Sequence, residues 1–572
     1  MANFFTDNND IQYYLNDNRL RRITHLREKG YSEHNASPFA PENFEDALDN
    51  YCRVLSLVGE IAAETLAPAA HDVDREGCRL ENNIVSYAQG TQEALKQFAQ
   101  ADLLGITLPR KYGGLNFPLT IYMMAIEMVS RADASFMTLF GLQEISETII
   151  EFATSEVKEK YLHKLASGKY TGAMVLTEPE AGSDLQAIGL KANYDETEEC
   201  WFLNGVKHFI SNGCGDVLLV LARSEERVTG GRGLSLFLYE KDENLFVRRI
   251  EDKLGIRGSP TCELQFNNCR AILIGQRKRG LSRYVMPLMN GARLGIGAQS
   301  IGIALEAYNQ AHQYAKQRKQ FGKAIIEFPP ILEILATMKM KIEAARSLLY
   351  ETSIIIDTQH VLNYYESKER DITRELKEIK RFGNLLTPMV KYYASEMCNQ
   401  VTYDAIQIFG GAGYMRDHDV ERLYRDARIT TIYEGTSQLQ VVAAIGGITS
   451  GLFFKLLENK KRESYPEPLN PLINKINTCE KLLKQSVIYV KAQNDPLYLE
   501  YHARGLVDMA VEILISVLLI ETSATSDHKF NLAKRFITDA FYKVQMLAEK
   551  VINSNENPVD DCKRIIEEEL NK

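Results

Sequence analysis

Several things are scarce or missing in this chain, and each absence removes a class of function. Its 572 residues contain a single tryptophan, Trp201, and nine cysteines, none of them in a CxxC pair. An odd number of scattered thiols (52, 78, 200, 214, 262, 269, 398, 479 and 562) forms no disulfide framework and fits a reducing compartment. The ten histidines include no HxxxH or HExxH spacing, which leaves a metal centre without a ligand pattern. No GxGxxG occurs, so a Rossmann nucleotide fold is disfavoured. There is no basic excess. A formal net charge of −9 argues against a nucleic-acid surface as the main function, although a local basic pocket for a phosphorylated ligand stays open. The longest apolar run, Met509–Ile520, is broken by Glu512 and is too short to span a bilayer, so it reads as a buried helix. The opening stretch, MANFFTDNNDIQYYLNDN, is acidic without an apolar centre; neither a secretory signal nor a transit peptide is expected there, and the expected location is cytoplasmic.

What is present looks like a soluble multidomain protein. The length exceeds what one core supports, and 45% hydrophobic with 25% charged residues is ordinary for globular chains. Residues 1–40 are polar and are expected to wrap over another part of the molecule. From Phe44 to about Ser167 the apolar spacing is helical. In Ala47–Leu66, for instance, Leu48, Val54, Leu55, Val58, Ile61 and Ala62 share a stripe, and Pro68 is expected to end that helix. Further helices are expected at Glu93–Leu104, Leu119–Arg131, Ser135–Phe152 and Glu156–Leu165. From Tyr170 the period changes to strands, at Gly172–Leu176, Val217–Arg223, Leu234–Glu240 and Cys262–Phe266. Cys200–Leu203 and Val206–Ser211 flank Asn204-Gly205, a hairpin signal.

Helices return near Arg283, with long ones at Gly291–Arg318, Phe328–Asp357 and Leu385–Phe409. Glu366–Lys380 alternates both signs and reads as a solvated excursion, and KKRESYPEPLNP at 460–471 reads as a linker. The fold class is therefore multidomain α+β: an N-terminal extension and helical domain over 1–170, a β barrel or sandwich over 171–280, a helical bundle over 281–459 with a charged insertion about 357–382, the linker, and an extra helical domain over 472–572.

Chemistry gathers at Tyr424–Gln440, read as YRDARITTIYEGTSQLQ. Glu434 stands beside a flexible glycine, with Thr436 available as an N-cap for the next helix. Such a turn can aim one carboxylate into a pocket, though a surface glutamate at a helix start has the same local sequence.

Other motifs give the turn a setting. Thr177-Glu178-Pro179-Glu180-Ala181-Gly182-Ser183-Asp184, Arg318-Lys319-Gln320-Phe321-Gly322, and Gln407-Ile408-Phe409-Gly410-Gly411-Ala412-Gly413-Tyr414 followed by Arg425-Asp426-Ala427 and Tyr433-Glu434-Gly435-Thr436 together resemble the signatures of the acyl-CoA dehydrogenase family. The resemblance runs over roughly 45–450, and the last hundred residues resemble its long-form members, including very-long-chain and 3-methylmercaptopropionyl-CoA dehydrogenases.

The resemblance implies FAD-dependent α,β-desaturation of an acyl-CoA thioester. Glu434 would remove the α proton and flavin N5 would accept the β hydride, with electrons passing to an electron-transferring flavoprotein. Some members place the base immediately before the arginine that matches Arg293; here that residue is Ala292, which leaves Glu434. The resemblance further implies flavin contacts from Leu176, Thr177, Phe209 and Ser211. Arg318, Gln320 and Phe321 would sit at the FAD pyrophosphate of a neighbouring subunit, and Gln407, Gly410, Gly411, Thr436 and Gln438 at the adenosine end. Ser183, Arg293, Tyr433, Gly435 and Met174 would serve the substrate. A homodimer is expected rather than a tetramer, because the extra domain could cover a tetramer face. An acyl-CoA oxidase, with the same fold and base, stays open. So does a flavin-bearing DNA-binding homologue, although 472–572 shows no basic run.

Overall fold

The computed structural model describes residues 2–37, 39–365, 370–460, 465–553 and 558–570. They form two compact units, Met1–Leu335 with Cys398–Glu434, and Ala336–Met397 with Gly435–Lys572.

In the first unit the N-terminal extension lies over the helical domain. Phe4 N–H donates to Gly59 O at 3.1 Å, and Arg27 reaches the carbonyls of Asn116 and Thr107, each at 2.8 Å. Pro68 does not end its helix. Phe44–Ile61 widens into a π turn over Ala62–Leu66 and continues as Ala67–Glu76, so Pro68, with no N–H to give, follows directly on the wide turn, where the regular ladder is already interrupted. The expected helix at Ser135–Phe152 is two helices, Ala134–Gly141 and Ile145–Phe152, joined by a 3₁₀ turn at Leu142–Glu144. Helix Met286–Gln317 packs on Leu119–Ala132 so closely that a Cβ on Gly302 would lie 2.3 Å from Glu127 O.

The β domain has seven strands: β1 Gly172–Val175, β2 Lys191–Asp195, β3 Cys200–Ser211, β4 Val217–Arg223, β5 Leu234–Glu240, β6 Leu245–Ile250 and β7 Thr261–Ile274. Pairings β4–β5, β5–β7, β7–β3, β3–β2 and a single β2–β4 bridge close a ring, with β1 beside β4 and β6 beside β7. Leu218, Val220, Phe237 and Tyr239 pack with Leu203, Leu264 and Phe266 in one cluster. Their neighbours in β4 and β5, among them Leu219, Leu221, Leu236 and Leu238, face the other way and pack with Ile145, Ile149 and Tyr161. Strand β4 is apolar from Val217 to Ala222 because both of its faces are covered there.

Asn204-Gly205 is not a hairpin turn. Strand β3 runs straight through it, and the pair forms a register shift against β7, with Gly205 at φ +140° and little room beside Leu190.

In the second unit the apolar helix Pro496–Thr522 is the centre, and Met509–Ile520 is buried along its whole length. Glu343 pairs with Lys529 at 2.6 Å, Lys543 with Glu512 at 2.6 Å, and Tyr392 OH donates to Asp508 at 2.8 Å. The Glu343 and Tyr392 contacts tie the final helices to the 336–397 segment, and Lys543–Glu512 joins two of those helices. Residues 370–380 of the charged stretch belong to one continuous helix, Arg370–Phe409, rather than to a separate excursion. Residues 366–369 of that stretch and 461–464 of the linker lie outside the described residues. Among the described residues, no single helix is long and apolar enough to cross a membrane.

Candidate active site

The turn at Glu434 follows from its neighbours. The Val420–Arg428 helix passes into a 3₁₀ turn at Ile429–Thr431, which carries Tyr433 inward. Tyr433 OH donates to Gln299 Oε1, and Gln299 Nε2 donates to Ala134 O at 3.0 Å. Burial pushes the Tyr433 phenol up, so it stays a neutral donor. Glu434 then takes the left-handed conformation, φ +55°, which a non-glycine residue keeps only when its surroundings hold it there. Arg293 Nε donates to Glu434 O at 3.5 Å, and its Nη1 donates to Asn290 Oδ1 at 3.0 Å. The guanidinium therefore braces the main chain of the turn. Desolvation lowers the Arg293 pKa, while the charge of Glu434 opposes that shift.

The second unit resumes at Gly435, φ +88°, whose carbonyl accepts from Lys391 Nζ at 2.7 Å and Gln440 Nε2 at 2.8 Å. Thr436 caps the Ser437–Thr449 helix, its Oγ1 accepting from Leu439 N–H at 3.4 Å. Gln438 is exposed.

Sequence reasoning missed Glu144, at the end of the 3₁₀ turn. Its Oε1 is buried and has no hydrogen-bond partner among the described residues, and a Cβ on Gly291 would lie 3.3 Å from its Oε2. Burial first, then the carboxyls of Glu147 and Glu434, push its pKa up to about 8. An acid set among apolar residues, as in LQEIS, was the only available signal.

A second group forms where β1 ends beside β3. Lys207, fully buried, donates to Leu176 O at 2.7 Å and pairs with Glu178 at 2.9 Å, and His208 N–H donates to Thr177 O at 3.0 Å. Burial pulls Lys207 down to about 8, opposed by Glu178. Phe209 is left-handed, φ +59°, and stands 58% exposed, stacked on His208 at 3.9 Å. Thr177 and Ser211 are half-buried, and neither hydroxyl makes a hydrogen bond among the described residues. Met174 packs in the apolar cluster with Ile145 and Ile149. Leu176, Thr177, Phe209 and Ser211 are thus drawn to one edge.

Other residues stand apart from it. Ser183 is exposed on the loop after Thr177. Arg318, Gln320 and Phe321 occupy an exposed two-stranded arm, with Phe321 94% exposed. Gln407, Gly410 and Gly411 are exposed, and a Cβ on either glycine would meet nothing within 4 Å.

An open aromatic side chain beside two unpartnered hydroxyls fits a planar heterocycle with polar edges. Comparison with known proteins carries this further. The chain matches family models for the acyl-CoA dehydrogenase N-terminal domain (52–169), middle domain (173–269) and C-terminal domain (279–445), and a further acyl-CoA dehydrogenase C-terminal model (449–555). Acryloyl-CoA reductase (NADH) of Anaerotignum propionicum is 35% identical over 391 residues, covering 68% of this chain and 91% of that protein. The 3-methylmercaptopropionyl-CoA dehydrogenase of Ruegeria pomeroyi is 32% identical over 432 residues, covering 70% and 71%. A solved acyl-CoA dehydrogenase complexed with FAD from Bacillus anthracis has the same fold over 89% of each chain, at TM-score 0.74 and 24% identity. The chain belongs to the acyl-CoA dehydrogenase family, oxidoreductases acting on CH–CH bonds.

Proposed function

We propose that this protein desaturates an acyl-CoA thioester between its α and β carbons, with Glu434 as the base for the α proton. One observation carries this reading: Glu434 is held half-buried on a left-handed turn whose carbonyl is braced by Arg293. A thioester α C–H is weakly acidic, so a carboxylate takes its proton only where water is kept out and the developing charge is stabilised. A fixed turn keeps the carboxylate aimed without reorganisation at the moment of transfer.

FAD, when bound, supplies the acceptor for the hydride leaving the β carbon. The residues proposed to hold its ring are Leu176, Thr177, Phe209 and Ser211, and their geometry supports this because two hydroxyls there lack partners. Arg318, Gln320 and Phe321 are proposed to take the pyrophosphate of a neighbouring subunit's FAD, a role suited to an exposed arm with a planar cation. Gln407, Gly410, Gly411, Thr436 and Gln438 are proposed for the adenosine end. Ser183 is assigned to CoA, and Met174, Tyr433 and Gly435 to the acyl group. Electrons then leave singly to an electron-transferring flavoprotein.

The 35% identity to an acryloyl-CoA reductase favours one variant of this reading, the same chemistry run backwards, in which Glu434 returns the proton to the α carbon. Dye reduction by saturated acyl-CoAs, measured beside dye-driven reduction of enoyl-CoAs, separates the two directions. No flavin-linked turnover in either direction would overturn the proposal.

A further inference from the structure

The helix-to-helix turn at Leu142–Glu144 ends on an acid, and the family chemistry leaves that acid without a task. Glu144 lies beside Gly291, two residues before Arg293, which in turn bonds the carbonyl of Glu434. Glycine at 291 leaves the carboxyl its space, since a Cβ there would press on Glu144 Oε2 at 3.3 Å. The next residue, Ile145, joins an apolar cluster with Ile149, Leu288, Met174 and Met289, while the buried Tyr122 phenol, which feels the Glu144 charge, already donates to Phe140 O at 3.1 Å. The charges that act on Glu144 are the carboxyls of Glu147 and Glu434, with no cation among them, so burial and like charge keep it protonated near neutral pH. A protonated carboxyl has an O–H to give, and its Oε1 is buried without a partner. Buried polar atoms are nearly always satisfied, so an unsatisfied one in a binding site marks a place for a ligand atom.

We propose that Glu144 is a specificity-determining residue that hydrogen-bonds an uncharged oxygen in the acyl chain, so that the substrate class is a short acyl-CoA bearing an ether, hydroxyl or keto oxygen beyond the β carbon. This inference rests on Glu434 being the α-proton base. A plain alkyl tail would leave the carboxyl unpaired, and a tail ending in a carboxylate would add a negative charge to a group of carboxyls. Sites built to hydrogen-bond a substrate atom reject the analogue that lacks it far more strongly than apolar pockets reject a missing methylene.

The test compares thioesters of matched length on the FAD-loaded enzyme. These are 4-methoxybutanoyl-CoA and hexanoyl-CoA, with glutaryl-CoA as the anionic arm and 4-aminobutanoyl-CoA as the cationic one. Wild-type kcat/KM is expected to favour the methoxy substrate over hexanoyl-CoA by about tenfold or more, with glutaryl-CoA and 4-aminobutanoyl-CoA the poorest. Glu144→Leu is expected to lose that preference, and Glu144→Gln, which keeps an N–H donor, to retain most of it. FAD content, measured by absorbance on each variant, reports folding separately. A methoxy-to-hexanoyl ratio that is the same in wild type and Glu144→Leu overturns the inference and leaves desaturation standing. A wild-type preference for the amine overturns the oxygen class. Failure of every thioester to bleach the flavin overturns the desaturation reading, and this inference falls with it.

Discussion

Replacing Glu434 by Gln exchanges one carboxylate oxygen for an amide nitrogen and leaves the main chain as it was. The Arg293 bond goes to the backbone carbonyl at 3.5 Å and the Tyr433 bond goes to Gln299, so neither brace depends on the carboxylate. The variant is therefore expected to fold, to keep φ near +55° and to bind FAD normally. What it loses is proton transfer. General-base catalysis contributes ~10²–10⁴-fold, or roughly 2.7–5.4 kcal/mol of barrier at 1.36 kcal/mol per tenfold, and kcat should fall by at least that range. The loss also has an electrostatic side effect, since the charge of Glu434 helps raise the Glu144 pKa and removing it should lower that pKa. The assay is anaerobic flavin bleaching by acyl-CoA in a stopped-flow instrument, with α-proton exchange of the thioester in deuterated buffer as the companion. A variant that bleaches within about tenfold of wild type would refute the assignment and place the base elsewhere.

Three further outcomes follow from the packing and the buried acids. Gly302→Ala puts a methyl 2.3 Å from Glu127 O and 2.7 Å from Arg131 N, both backbone atoms, and should cost about 3 kcal/mol, read as a lower Tm. The Glu144 pKa is raised from 4.5 to about 8, so between those values the native state holds a proton that the unfolded chain has released. The stabilisation from this group is complete below the unfolded pKa and is lost as pH rises toward the folded one, so wild type should lose Tm relative to Glu144→Gln over that window. Asp426 is buried, accepts from the N–H of left-handed Ile256 at 2.5 Å and faces Arg422 at 3.5 Å. Asp426→Asn keeps an acceptor for Ile256 but removes the charge facing Arg422, and should cost roughly 1–3 kcal/mol in chemical denaturation.

The parts legible in the sequence are those written in short-range pattern. Val217–Arg223 and Leu234–Glu240 read correctly because both are mostly apolar, interrupted only by Ser235 before a charged last residue. Thr436 read as an N-cap because capping needs only a hydroxyl ahead of a helical stretch. Asn204-Gly205 misled because its local turn preference was overruled by pairing of β3 with the 14-residue strand β7, which lies far away in sequence. Strands β2 and β6 went unread for a related reason, as Lys191–Asp195 is mostly exposed and Leu245–Ile250 carries polar residues on one side. The candidate site divides in the same way. Motif residues could be named in advance, but the left-handed backbone at Glu434 and Phe209, and the carboxyl of Glu144 beside Gly291, depend on contacts between distant segments.

The left-handed backbone has a cost for anyone breeding a tougher version of this protein. At Glu434 and Phe209 the chain holds a conformation that glycine adopts freely, so glycine would relax it at both places. A library sorted only for survival after heating would be drawn toward glycine at these two positions, and would enrich durable molecules that had shed the proposed base and the proposed aromatic platform together. Screens for robustness in this protein must therefore score turnover in the same round.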